Sequence, residues 1–217
     1  MTTPPSPFPS SAEAKLEMLT TINRAIAGAQ AEPMPPYPQA APLSRAEMLH
    51  QFQDRILDYK AAYRRVSAAE LPGVITEALA GAARVLVPAG FPPEWLSSEI
   101  DMLRDDPPLS NLELNKAGAV LTGCAVAISE TGTIILDHQG NQGRRALSLI
   151  PDIHVCIVRE NQIVQTVPEG VRAVAASVRA GHPLTWISGG SATSDIELVR
   201  VEGVHGPRHL QVIVVSD

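Results

Sequence analysis

Glu130 stands in the run Ser129-Glu130-Thr131-Gly132-Thr133, a carboxylate in a tight turn between two segments that read as buried strands. Desolvation there would favour its neutral form and backbone N–H groups would hold its anion; either state suits acid–base or nucleophilic work. Glu130 is therefore the leading catalytic candidate, with Ser129, Thr131, Gly132 and Thr133 as ligand-binding neighbours. The alternative is a hairpin glutamate facing water. A second run, SGGSATSDIE at 188–197, sets Ser188, Gly189 and Gly190 before Ser191, Thr193 and Asp195. The glycines let a ligand approach the backbone, and the small oxygen-bearing side chains suit the start of a short helix whose free N–H groups bind an anion. An ordinary strand-to-helix connector is the plain reading. A third run, GVHGPR at 203–208, places His205 beside Gly206 in a turn before the last strand, where it could carry a proton or hold an anion.

Arg144 and Arg145 close the loop DHQGNQGRR at 137–145, which reads as flexible and basic. Two guanidinium groups beside glycines could clamp a carboxylate or phosphate, with Arg144 as the first candidate; a solvated loop is the alternative. His50, His154, His182 and His209 fall on separate elements with no HExxH spacing, so no local metal motif is present. Neither a GxGxxG nucleotide fingerprint, a GxxxxGK[ST] loop nor a GxSxG elbow occurs.

Composition narrows the function classes. Of 217 residues, 45% are hydrophobic but only 4% aromatic, and the net charge is −6. Phosphate backbones are repelled and stacking platforms are scarce, so nucleic acid is not an expected partner. Cys124 and Cys156 sit in apolar runs, too few to hold an iron–sulfur cluster or a structural zinc, and are expected to be buried, reduced and inert. The first residues lack a basic head followed by an apolar stretch, and no long apolar span follows; a soluble cytoplasmic protein without a membrane span is expected.

The elements that must position these runs come next. Residues 1–11 are proline-rich and expected to be extended or disordered. Apolar periodicity predicts a helix over 11–30 with Ser11 as its N-cap. After the break AEPMPPYPQAAP, a second helix is predicted over 43–66, opened by Ser44 and Glu47. Residues 1–42 thus read as a leader and helical arm, able to pack on the main body or on a neighbouring copy in a homo-oligomer, and 43–217 as the main domain. From residue 70, helices (71–80, from 93, and 163–180) alternate with short β-branched strands (84–88, three within 117–137, 153–159, 184–188 and 209–216). That pattern predicts an α/β fold with a mainly parallel sheet covered on both faces, and ligands at the carboxyl ends of its strands.

In this order, SETGTIILD at 129–137, SGGSATSDIE at 188–197 and GVHGPRHLQVIVV at 203–215 resemble the signature blocks of the LUD domain, and within it the lactate utilisation protein C (YkgG-type) family. The resemblance covers residues 43–217. It implies a three-layer α/β/α fold similar to the sugar-isomerase and CoA-transferase superfamily, and a role in a bacterial system that oxidises L-lactate to pyruvate. It further implies iron–sulfur clusters in partner proteins, with this chain the cluster-free member, holding no cofactor or metal and binding a small carboxylate or phosphate. CoA-transferases carry a catalytic glutamate in a Ser-Glu-Asn-Gly turn, which 129–132 resembles; on that likeness Glu130 is a nucleophile or ligand binder. The chain departs from the family pattern at Gly190, where a proline commonly stands. Two functions stay open: the lactate-oxidation subunit, or a stand-alone CoA-transferase-like or phosphosugar-isomerase-like enzyme using Glu130. Whether the chain catalyses a step itself is not decided by these residues.

Overall fold

A computed structural model describes residues 10–28, 35, 40–82, 84–193, 201–203 and 206–216. Of the stretch 1–11 expected to be extended or disordered, residues 1–9 lie outside them, while Ser10 and Ser11 are ordered at the start of a helix. The chain divides into two compact units, Met1–Gln39 and Ala40–Asp217.

The first unit holds α1, Ser11–Ile26. Its N-cap is Ser10 rather than Ser11, because Glu13 lies three residues after Ser10: the Ser10 hydroxyl accepts from the Glu13 amide, and the Glu13 carboxylate accepts from the Ser10 amide at 2.8 Å.

The second unit opens with α2, Arg45–Asp58, under the expected Ser44–Glu47 capping box. The predicted continuation to residue 66 does not occur. Lys60 takes a left-handed φ of 60°, and Ala62–Ser67 becomes strand β1, paired in parallel with the chain's last strand from Ala62↔Gln211 to Ser67↔Ser216. The helical periodicity of Tyr63 and Val66 is overridden by this long-range pairing.

The remaining elements are α3 (Leu71–Ala78), β2 (Val85–Val87), β3 (Met102–Arg104), α4 (Asn111–Leu114), β4 (Ala119–Thr122), β5 (Val126–Ile128), β6 (Thr133–Leu136), β7 (Ile153–Arg159), β8 (Ile163–Val164), α5 (Val167–Ala173), α6 (Ala175–Arg179), β9 (Thr185–Ile187), β10 (Ala192–Thr193), β11 (Val201–Glu202) and β12 (His209–Ser216). The helix expected from residue 93 is a single 3-10 turn, Pro93–Trp95. The helix expected over 163–180 starts as β8 and breaks at Val174 into α5 and α6.

All pairs in the six-stranded sheet, ordered β1-β12-β7-β4-β2-β3, are parallel. Its central strands are continuous apolar runs because both faces are covered. On one face Val87, Leu121, Val155 and Ile213 pack against Leu71 and Ile75 of α3. On the other, Cys156, Val158, Val212 and Val214 meet Leu49, Phe52 and Ile56 of α2 together with Ala127 and Ile134. This is the three-layer α/β/α arrangement. Within the α2 layer lies a feature that periodicity did not reveal, a four-stranded sheet ordered β8-β5-β6-β9 in which β6 is antiparallel to both neighbours. Its outer side, Val126, Ile128 and Ile135, is covered by Val174 and Val167.

Candidate functional site

The Ser129–Gly132 turn joins β5 to β6 and is pressed against the end of α2. Gly132 has φ 63°, and a Cβ there would lie 2.7 Å from Arg55 Cβ and 3.0 Å from the Arg55 backbone carbon. The buried Ser129 hydroxyl donates to Gln51 Oε1 at 2.9 Å, the Glu130 amide donates to the Gln165 carbonyl at 3.1 Å, and Arg55 Nε donates to the Glu130 carbonyl at 3.2 Å. Both backbone polar atoms of Glu130 are therefore satisfied by the protein itself. Glu130 Oε2 is sealed from solvent with no hydrogen-bond partner among the described residues. From this turn a chain of hydroxyls leads outward: Thr131 Oγ1 to Thr133 Oγ1 at 2.7 Å, then Thr133 Oγ1 to Ser188 Oγ at 2.8 Å.

The loop after β6, expected to be flexible, is braced. The Asp137 carboxylate accepts from Ser177 Oγ at 2.6 Å and from Gln142 Nε2 at 2.7 Å, while the Asp137 amide donates to Gln142 Oε1 at 2.7 Å. His138, at a left-handed φ of 61°, sets Nδ1 2.9 Å from the Gly143 carbonyl and Nε2 2.8 Å from the Thr185 hydroxyl. A carbonyl only accepts, so Nδ1 carries the proton of this contact. Arg144 turns to a protein carboxylate: Nε and Nη2 donate to Asp105 at 2.8 and 2.9 Å, and Nη2 also donates to the Leu109 carbonyl at 2.5 Å. Burial pushes the Asp105 carboxyl up, but the Arg144 hydrogen bonds, the Leu109 amide and the Arg144 charge outweigh it and hold it below the usual carboxylate range. The next residue, Arg145, is exposed and has no ion-pair partner among the described residues.

Arg145 lies on the wall of a cavity of about 320 Å³. Its other walls are Thr185, Trp186 and Ile187 of β9, the turn 188–191, Ser148 and Leu149, and Gly206 with Pro207; His154 of β7 and Leu210 of β12 also face it. An adjoining cleft of about 730 Å³ shares Arg145, Leu149 and Gly206 and holds Arg208, 3.5 Å from Asp152. The turn 188–191 is strapped to the segment entering β12: the Ser191 amide donates to the Pro207 carbonyl at 2.7 Å, and a Cβ on Gly190 would collide with the Arg208 carbonyl. Instead of opening a helix, Ala192–Thr193 pair with Val201–Glu202 as the β10–β11 ladder.

His154 is 1% exposed, with Nε2 2.8 Å from the Thr122 hydroxyl. Burial lowers its pKa to about 4, so the imidazole is neutral near neutral pH. Both cysteines are buried free thiols, and contact with Cys156 together with burial pushes the Cys124 thiol up.

Of the residues expected to form the site, Ser188, Gly189, Gly190, Ser191 and Gly206 converge on the cavity. Glu130, Ser129, Thr131, Gly132, Thr133 and Arg144 do not line it; the first five belong to the hairpin and Arg144 to the Asp105 pair. Thr193 lies in the β10–β11 ladder, and Asp195 and His205 lie outside the described residues. The expected position at the sheet's carboxyl edge is corrected: the cavity sits at the amino ends of β7 and β12, because its glycine turn leaves β9 of the smaller sheet and returns just ahead of β12. Sequence reasoning passed over His154 and favoured Arg144 over Arg145. The available signal was a histidine interrupting the apolar strand IHVCIV. Among the described residues no cluster of His, Cys, Asp and Glu could hold a metal ion, and no helix is long and apolar enough to cross a membrane.

Residues 110–215 match the LUD domain. A protein of Deinococcus radiodurans named lactate utilization protein C is 77% identical over 209 residues, covering 96% of this chain and 99% of its own length. The chain belongs to the lactate utilization protein C family. A Geobacillus kaustophilus protein of the same name is 26% identical over 84% of each chain. The crystal structure of a DUF162 family protein from Deinococcus radiodurans superposes with a TM-score of 0.73 at 71% identity, covering 80% of this chain and 99% of that one. In this lactate utilization protein C family member the residues lining the cavity, from Arg145 to Leu210, all fall inside the LUD match, whereas α2, which seals the hairpin turn, precedes it.

Proposed function

We propose that this chain is the cluster-free subunit of a cytoplasmic system that oxidises L-lactate to pyruvate, and that it binds a small carboxylate in the 320 Å³ cavity. The observation that carries the reading is Arg145: a guanidinium without an ion-pair partner among the described residues, beside a glycine turn whose backbone a ligand can approach. The 77% identical relative, named for lactate utilisation, supplies the metabolic setting. Lactate gives up two electrons and two protons on becoming pyruvate, and in this reading iron–sulfur partner proteins take the electrons while this chain holds the acid. Deleting the gene should abolish growth on L-lactate, and calorimetry should detect L-lactate or pyruvate binding to the purified chain. Normal growth of the deletion strain together with no carboxylate binding would overturn the proposal.

A stand-alone enzyme of the CoA-transferase or phosphosugar-isomerase kind is favoured by one observation, a buried Glu130 Oε2 without a hydrogen-bond partner among the described residues. Such an enzyme would turn over an acyl-CoA or a sugar phosphate without partners and lose that turnover in Glu130→Gln.

A further inference from the structure

We infer that the cavity selects acids bearing an oxygen on the carbon next to the carboxylate, and that it takes 2-hydroxy and 2-oxo acids with apolar tails longer than that of lactate; the inference rests on the carboxylate-binding reading above. Three observations converge on it. Arg145 is the cavity's cation and suits a carboxylate. His154 faces the same cavity while its Nε2 is held by Thr122, leaving Nδ1 as the ring's other polar atom. An uncharged imidazole is a poor partner for a second anion and a good one for a hydroxyl or ketone oxygen, since it can donate or accept according to its tautomer. The cavity is also too large for a three-carbon acid: about 320 Å³ lies at the lower end of pockets that enclose drug-sized ligands, so lactate would leave most of it to water. Leu149, Trp186, Ile187, Leu210 and Pro207 form an apolar part of the wall, beside the hydroxyl-bearing Ser148, Thr185, Ser188 and Ser191. Trp186, 44% exposed, lines the cavity and is not committed to the core. Arg145, His154 and the apolar part of the wall together describe a carboxylate end, a 2-oxygen and an aliphatic side chain in one molecule.

The test is a ligand series on the full chain by isothermal calorimetry, using propionate, L-lactate, pyruvate, 2-oxobutyrate and 4-methyl-2-oxopentanoate. Lactate and pyruvate should bind at least about tenfold more tightly than propionate, the gain of one well-placed hydrogen bond. Each added methylene should tighten binding by roughly threefold. Trp186→Ala should shrink the advantage of 4-methyl-2-oxopentanoate over pyruvate by about tenfold, and His154→Leu should bring lactate and propionate within about twofold of each other. The wild-type series decides the matter even if His154→Leu does not fold. Propionate binding as well as pyruvate, or affinity falling as the tail lengthens, overturns this inference and leaves the carboxylate-binding reading standing. No binding by any acid of the series overturns both the inference and that reading.

Discussion

The hairpin turn at 129–133 and the cavity turn at 188–191 look alike in sequence, each a small hydroxyl residue followed by glycine-bearing, conformationally permissive positions, yet the structure uses them differently. In both, glycine is required by close approach of the protein itself: Gly132 against Arg55, Gly190 against the Arg208 carbonyl. A glycine turn is therefore not evidence of a ligand on its own. The difference lies in what remains after the protein's own bonds are made. In the hairpin the Ser129 hydroxyl and the Glu130 amide and carbonyl are taken up by Gln51, Gln165 and Arg55, and the Thr131 and Thr133 hydroxyls by each other and by Ser188; none of the hairpin residues lines the cavity. Beside the second turn stand a guanidinium with no ion-pair partner among the described residues, a neutral imidazole and open volume. Two regions of similar composition thus divide into a structural clasp and the wall of a cavity.

The strongest way to break that division is Gly132→Ala. The left-handed φ of 63° and the 2.7 Å approach to Arg55 should cost about 3–4 kcal/mol in urea unfolding, with carboxylate affinity of the folded fraction unchanged. Loss of affinity without loss of stability would instead put the hairpin in the site. Next comes the arginine pair. Arg145→Ala should lower carboxylate affinity roughly a hundredfold, about 2.7 kcal/mol, and leave stability within about 0.5 kcal/mol. Arg144→Ala should do the reverse, costing about 1–3 kcal/mol because Asp105 and the Leu109 carbonyl lose their donors. If both variants weaken binding alike, adjacent residues have not been divided between fold and ligand.

The imidazole provides a smaller effect with a defined sign. His154 has a folded pKa of about 4 against 6.5 unfolded, so between those values the unfolded chain takes up a proton that the folded chain refuses. Stability contributed by the neutral ring is full above pH 6.5 and falls as pH falls. From pH 7 to pH 5 wild type should lose roughly 2 kcal/mol more than His154→Gln. Equal losses would mean that the folded chain solvates the ring well enough to protonate it like an exposed histidine.

What the sequence made legible follows the range of the forces involved. The α2 cap, set by Ser44 and Glu47, and the buried strands β2, β4, β7 and β12 are local patterns and were readable. Strand β1 was not, because AYRRVS becomes a strand only through pairing with β12, far along the chain. Ser188–Ser191 was legible as a turn from its small residues, and it lines the cavity. Arg144 and Arg145 could not be told apart, since their division depends on Asp105, which arrives from the end of β3. His154 was hidden because a histidine in a strand gains meaning only from the cavity that loops from two other parts of the chain build over it.

The smallest expected effect is the one that most sharpens the contrast. Glu130 keeps Oε2 sealed without a hydrogen-bond partner among the described residues, which for a carboxylate is a cost unless a role offsets it. If the hairpin is only a clasp, Glu130→Gln should change stability by no more than about 1 kcal/mol, because the amide has nearly the same shape and carries no charge to desolvate. Carboxylate affinity and growth on L-lactate should then be unchanged, since Glu130 does not line the cavity. If Glu130 is a nucleophile, its oxygen stays unpartnered because it must remain free to attack, and the same substitution should stop turnover while leaving stability as before. Unfolding midpoint and growth, measured on this one variant, therefore separate a carboxylate trapped by packing from one kept in reserve for chemistry.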